Sequence, residues 1–262
     1  MHLARHLLRV LIAPIAVAAL SCALSRTADA DRVPLVGTGA PAPIGNSNIV
    51  NHASSVIVSV DPSTVPCSAI STFDDVQGGA APGVSYDGFL SSGGVRFAER
   101  FVGQTLSYNG NFDVVSGIPT NPLTLQAGLP GQNLDVFDYA TNVLTGLGPL
   151  GYPDIDAIGE GSMAMLFPVP QFALTFQVVG GNGGTATLTF YRADGSLMDT
   201  IDISGLADLA YGFATDDGSS TISGVLIQNT DPSGIGLDNV CHEGGVTAAR
   251  GATWGALKVL YR

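Results

Sequence analysis

Lysine is almost missing from this chain: Lys258 is the only one in 262 residues, and Lys and Arg together number 10 against 22 Asp and Glu, a net charge of −12. Nucleic acid and anionic membrane surfaces are held through Lys and Arg neutralising phosphate, so this balance argues against both as partners. Charged residues of all kinds make up 12% of the chain, about half the usual ~25%, which argues against a helix-rich cytosolic protein. Glutamate is scarce as well, 3 against 19 Asp. Asp favours turns over helix interiors, so the imbalance points to β structure. Catalytic signatures are few: there are four His, and no Gly-x-Ser-x-Gly elbow, His-Glu-x-x-His, phosphate loop or Cys-x-x-Cys. What the chain does have is glycine and proline, 34 and 15 residues. Together they come to about a fifth of the chain, below the ~25–30% that marks low complexity, so a folded, turn-rich protein is expected.

One long apolar run exists, Val10 to Leu24, behind Arg5 and Arg9 and ahead of Ala28-Asp29-Ala30. This is the layout of a secretory signal peptide over residues 1–30. At 15 residues with Pro14 inside, the run is shorter than the ~18–20 that a membrane span requires. Lipoprotein processing at Cys22 is the rival, but position 19 is Ala where Leu is expected. Cleavage predicts a secreted or extracytoplasmic protein without a transmembrane helix and raises the net charge to −14. It also leaves two cysteines, Cys67 and Cys241. In an exported protein two cysteines are more often paired than free, which would make the first and last strands neighbours. Closing so long a loop stabilises by roughly 4–5 kcal/mol in the chain-entropy model.

Residues 31–66 read as a leader or linker with one strand at Val56–Val60. Period-2 alternation then runs through 67–243. Leu174, Phe176 and Val178 share a face, Gly180-Gly181-Asn182-Gly183-Gly184 turns the chain, and Ala186, Leu188 and Phe190 share the next, predicting an antiparallel hairpin. A third strand, 197–203, would extend it into a meander. Ser162–Phe167 is apolar on both parities and reads as a central strand. The parity change across Gly224, between Ile222 and Val225, predicts a β-bulge. A dozen short strands with frequent turn signals make the expected fold all-β, a two-sheet antiparallel β-sandwich of jelly-roll type, with an Ig-like sandwich ranked second.

Several segments carry a family resemblance: Ser71-Thr72-Phe73-Asp74-Asp75, Tyr86-Asp87-Gly88-Phe89, Gly159 to Phe167, the Phe190 to Leu197 turn, and Asn229 to Val240. In this order they resemble the secreted bacterial jelly-roll modules found in exported surface proteins of the PEP-CTERM type. The resemblance spans about residues 68–242 and is one of layout; a Pro-Glu-Pro motif is not in the sequence. It implies an extracytoplasmic, cell-surface-attached sandwich. The segment 244–262 differs in character. Trp254, Leu257 and Tyr261 fall on one helical face beside Arg250, Lys258 and Arg262, so it reads either as a docking tail or as a sorting segment.

Three kinds of chemistry fit the remaining side chains. Between Arg192 and Arg250 there is no Lys or Arg but nine acids; a solvated face is the ordinary reading and a bound cation the sharper one. Ca²⁺ takes oxygens from loop carboxylates without needing His or Cys. A Cys67–Cys241 bridge would bring Asp74 and Asp75 toward Asp238, so these three are the candidate structural calcium ligands. Carbohydrate binding uses aromatic platforms with Asp or Asn acceptors. Among Tyr86, Phe89, Tyr108, Tyr139, Tyr152 and Tyr211, the best placed for exposure are Tyr108 and Tyr152, which are flanked by Gly, Asn and Pro. The expected function is therefore a non-catalytic extracellular binding or structural module for polysaccharide or cell envelope. The alternative is a carbohydrate-active hydrolase using an acidic pair drawn from Glu99, Glu160, Asp154 and Asp156.

Overall fold

Alternation of apolar and polar residues builds strands along the whole described part of the chain, with two single 3₁₀ turns and no α-helix. The structure is a computed structural model describing residues 56–243 and the backbone of 49–50. The expected signal peptide, Cys22, His52 and the 244–262 tail lie outside the described residues. No helix among the described residues is long and apolar enough to cross a membrane.

The protein is a two-sheet antiparallel β-sandwich. One sheet has the spatial order Ile49–Val50, Leu197–Ser204, Thr185–Tyr191, Ile222–Asn229, Met163–Gln171, Val95–Ala98 and Leu90–Ser92. The other runs Ile57–Val60, Leu209–Thr215, Ala173–Gly180, Ile235–His242, Asn142–Gly146, Leu134–Asp138 and Val84–Tyr86, and Ala69–Ser71 pairs with the end of Ile235–His242 as its eighth strand. Their inner faces meet in one core, where Phe190 of the first sheet packs 5.5 Å from Phe213 of the second. Each such buried side chain contributes about 1.5–3 kcal/mol of apolar transfer. A smaller apolar cluster around Phe101, Leu123 and Tyr191 lies apart from this core. Gly224 permits part of it, since a Cβ there would stand 2.7 Å from the Phe101 ring.

The disulfide joins Cys67 and Cys241, with Cα atoms 5.3 Å apart. Beside it Ser71, Ile70 and Ala69 pair with Val240, Cys241 and His242, so the segments that open and close the 67–243 stretch are indeed neighbours. Met163–Gln171 is central in its sheet, and Thr185–Tyr191 forms the expected hairpin with Leu197–Ser204, burying Ile201 and Ile203.

Three expectations change. Ala173–Gly180 and Thr185–Tyr191 do not pair; they lie in opposite sheets. Leu174, Phe176 and Val178 face Ala186, Leu188 and Phe190 through the core, and the glycine-rich turn arches between the layers. Buried Asp231 fixes that arch by accepting from the backbone N–H of Asn182 and Gly184 at 2.7–2.9 Å. Second, the sandwich begins before residue 67. Ile57–Val60 forms an edge strand along Leu209–Thr215 and buries Ile57 completely, because its β-branched alternation matches an open sheet edge. Third, the irregularity at Gly224 exists, but the extra residues belong to its partner strand. The register passes from Leu166 opposite Gly224 to Gln171 opposite Ile222, across Pro168 and Pro170, which cannot donate to the ladder.

Candidate functional site: a groove on the outer face of the larger sheet

Side chains alternate across a strand, so those flanking the core residues Leu134, Val136 and Leu144 point outward. On four adjacent strands of the eight-stranded sheet these outward positions form a hollow. Thr145 stands opposite Gly236, and Gly236 opposite Val179. With no side chain at the middle position, the floor of the hollow is low. Phe137 and Tyr139 form one wall, with ring centroids 6.0 Å apart and planes 64° apart, and Tyr139 is 56% exposed. Ile155 and Ile158, Ala81 and the 233–234 turn complete the lining. The volume is about 410 Å³.

Past Tyr139 and Val179 the groove continues into a polar hollow of about 330 Å³ lined by Thr141, Gln177, Asp208, Asp238 and Asn239. A β-bulge builds this end. The register steps from Gln177 opposite Asp238 to Thr175 opposite Cys241, and Asn239 adopts φ 50°. Bulges re-aim side chains in this way. Asn239 donates through Nδ2 to Gln177 Oε1 at 3.1 Å, and Asp208 accepts from Gly180 N–H at 2.7 Å. Asp238, 4% exposed, accepts from Thr141 Oγ1 at 3.0 Å and from Asn239 N–H at 2.6 Å. Burial raises the Asp238 pKa, and the charge of Asp74 adds to the rise.

Of the three candidate calcium ligands, Asp74 and Asp238 are therefore electrostatic neighbours, joined through adjacent residues: Asn142 N–H donates to Asp74 at 3.4 Å, next to Thr141. Asp75 is committed elsewhere, accepting from Ser92 Oγ at 2.6 Å and from Gly93 N–H at 3.1 Å. Among the described residues, no three His, Cys, Asp or Glu side chains form a group that could hold a metal ion.

Tyr108 and Tyr152 are exposed, at 50% and 40%, but neither lines the groove. Tyr108 sits on the Thr105–Asn109/Phe112–Ser116 hairpin, which reaches the other sheet through Val115 N–H and Gln228 Oε1. Tyr152 belongs to a loop bonded to Gly131. The residues that replace them, Phe137 and Tyr139, had a readable signal: two aromatics at i and i+2 on the parity opposite the core residues Leu134 and Val136.

None of the acidic candidates for hydrolysis lines the groove, although Asp154 and Asp156 flank Ile155 and Glu160 follows Gly159, both of which do. Glu99 is 1% exposed and pairs with Arg100. Next to it Asp113 accepts from Ser162 N–H at 3.0 Å, and burial pushes it up to about 6. Glu160 has a pKa raised by burial first and then by the charges of Asp156 and Asp154. A further buried acid, Asp135, lies in a row with Ser85 and Thr145, whose hydroxyls have no hydrogen-bond partner. It is fully buried; burial pushes it up to about 7, and the N–H of Val136 works the other way.

Neither a protein-family model nor a curated protein matches the chain.

Proposed function

We propose that the protein is a secreted, extracytoplasmic sandwich module of jelly-roll type that binds a carbohydrate chain in the groove without catalysis. The observation that carries this reading is the pair Phe137 and Tyr139 standing over a low floor, beside the amide and carboxylate groups of Gln177, Asn239 and Asp238. An aromatic wall with convergent polar groups is the arrangement that stacks on the apolar face of a sugar ring and accepts from its hydroxyls.

Pull-down with a panel of insoluble polysaccharides tests it. Wild type is expected to bind at least one, Tyr139→Ala to lose about tenfold or more in affinity, and Tyr108→Ala and Tyr152→Ala to retain it. A blank panel, or full binding by Tyr139→Ala, overturns the reading. Hydrolysis has one observation in its favour, the raised pKa of Glu160 beside Asp154 and Asp156. Release of reducing ends by wild type but not by Glu160→Gln would establish it instead.

A further inference from the structure

The groove is one-sided in charge. Its polar end holds Asp208 and Asp238, with Asp74 close enough to act on Asp238, and no Lys or Arg lines either part of it. The described residues contain three Lys or Arg side chains in all, and each is placed elsewhere. Arg96 lies over the Phe89 ring at 4.7 Å, Arg100 pairs with Glu99, and Arg192 donates to Leu197 O at 3.5 Å on a hollow it shares with Asp216 and Asp217. Three Arg against twenty acids give residues 56–243 a net charge of −17. A carboxylate or sulfate on a ligand would enter the polar end with no counter-charge and opposite two like charges, one of them poorly solvated. In such a desolvated setting, like charges discriminate more strongly than on an open surface.

Resting on the carbohydrate reading above, we infer that this groove selects uncharged glycans and excludes uronic-acid and sulfated ones, with Asp208 and Asp238 as the excluding residues. Neutral sugar hydroxyls can donate to these carboxylates and to Gln177 and stack on Tyr139. An acidic sugar offers the same ring but repels at the polar end, so exclusion costs the preferred ligand nothing.

Affinity electrophoresis of the full chain at low salt, in gels carrying matched pairs of polysaccharides, tests the inference. Suitable pairs are cellulose ethers with carboxymethylcellulose, dextran with dextran sulfate, and galactan with polygalacturonate. The neutral member of any pair that retards the protein is expected to bind at least tenfold more tightly than its anionic partner. Added salt should narrow the gap. The double variant Asp208→Asn/Asp238→Asn should narrow it by severalfold, whereas Asp216→Asn/Asp217→Asn, outside the groove, should leave it. Equal or tighter binding of the anionic member overturns the inference and leaves the carbohydrate reading standing. A gap narrowed equally by both double variants also overturns it, because overall charge would then be the cause. Retardation by no polysaccharide overturns both.

Discussion

Replacing Asp135 by Asn exchanges a fully buried carboxyl for an amide of the same shape, at a position where a Cβ on Gly83 would stand 2.2 Å from Oδ2. The native carboxyl titrates at about 7 against an ordinary value of 3.8, because burial disfavours its charge. Between those two values the folded chain holds a proton that the unfolded chain has released, so stability falls as pH rises from about 4 to about 7. A shift of about three units at 1.36 kcal/mol each sets a ceiling of about 4 kcal/mol on that fall. Asp113, raised to about 6 by burial, adds a fall of the same sign that ends sooner. The exposed carboxylates Asp61, Asp194 and Asp217 act oppositely: hydrogen bonds to Ser63, Ser196 and Ser219 lower their pKa, and their contribution is lost as pH drops below about 4. Urea unfolding followed by circular dichroism at half-unit steps from pH 4 to 8 separates these effects. Asp135→Asn should match wild type near pH 4 and exceed it by roughly 2–4 kcal/mol at pH 8, keeping only the gentler fall left by the other buried acids, Asp113, Glu160 and Asp238. Wild-type stability that is flat or rising between pH 5 and 8, or an unchanged slope in the variant, would refute the argument.

Three further outcomes follow from the same geometry. Cys67→Ala with Cys241→Ala opens a 174-residue loop and is expected to cost roughly 4–5 kcal/mol in chain entropy, read as a lower urea midpoint. In a thermal scan of the chelator-treated protein, added Ca²⁺ is expected to leave Tm where it is, because Asp75 is held by Ser92 and Gly93 and does not join Asp74 and Asp238; a rise that EDTA reverses would reinstate the calcium site and remove the bare charge from the groove. Gly236→Ala puts a Cβ 2.3 Å from Val143 Cγ1 on the outer face of the sheet beside Thr145, and the repacking should cost about 1–3 kcal/mol of stability. A thermally neutral Gly236→Ala would show that the floor is looser than described.

Fold class was legible because each strand carries its own signal. Leu188 and Phe190, or Ile201 and Ile203, declare a buried face by spacing alone, and scarce Lys and Glu removed the helical alternative. Which sheet a strand joins was not legible. The Gly180–Gly184 stretch looks like a hairpin turn locally, and only the core contacts of Phe176 and Phe190, with Asp231 bonding the arch from 47 to 49 residues away, make it a crossover. The disulfide was legible from the cysteine count together with the expectation of export. The groove was not, because its floor depends on three non-consecutive strands placing Thr145, Gly236 and Val179 in one row, a register set by long-range pairing. Tyr108 and Tyr152 drew attention because Gly and Pro flank them, and those neighbours do put them at the surface. Exposure alone did not put them on this groove, whereas the i, i+2 aromatics of Phe137 and Tyr139 sit on the outer sheet face that forms it.

The central claim is that the outer face of the eight-stranded sheet is the binding surface. Chemical-shift mapping of the isotope-labelled protein, titrated with a soluble oligosaccharide of whichever polysaccharide it retains, reads that surface directly. The account predicts perturbations concentrated at Phe137, Tyr139, Gln177, Val179 and Asn239, with the hairpin carrying Tyr108 silent. Perturbations centred on Tyr108 or Tyr152, with the groove residues unmoved, would contradict it.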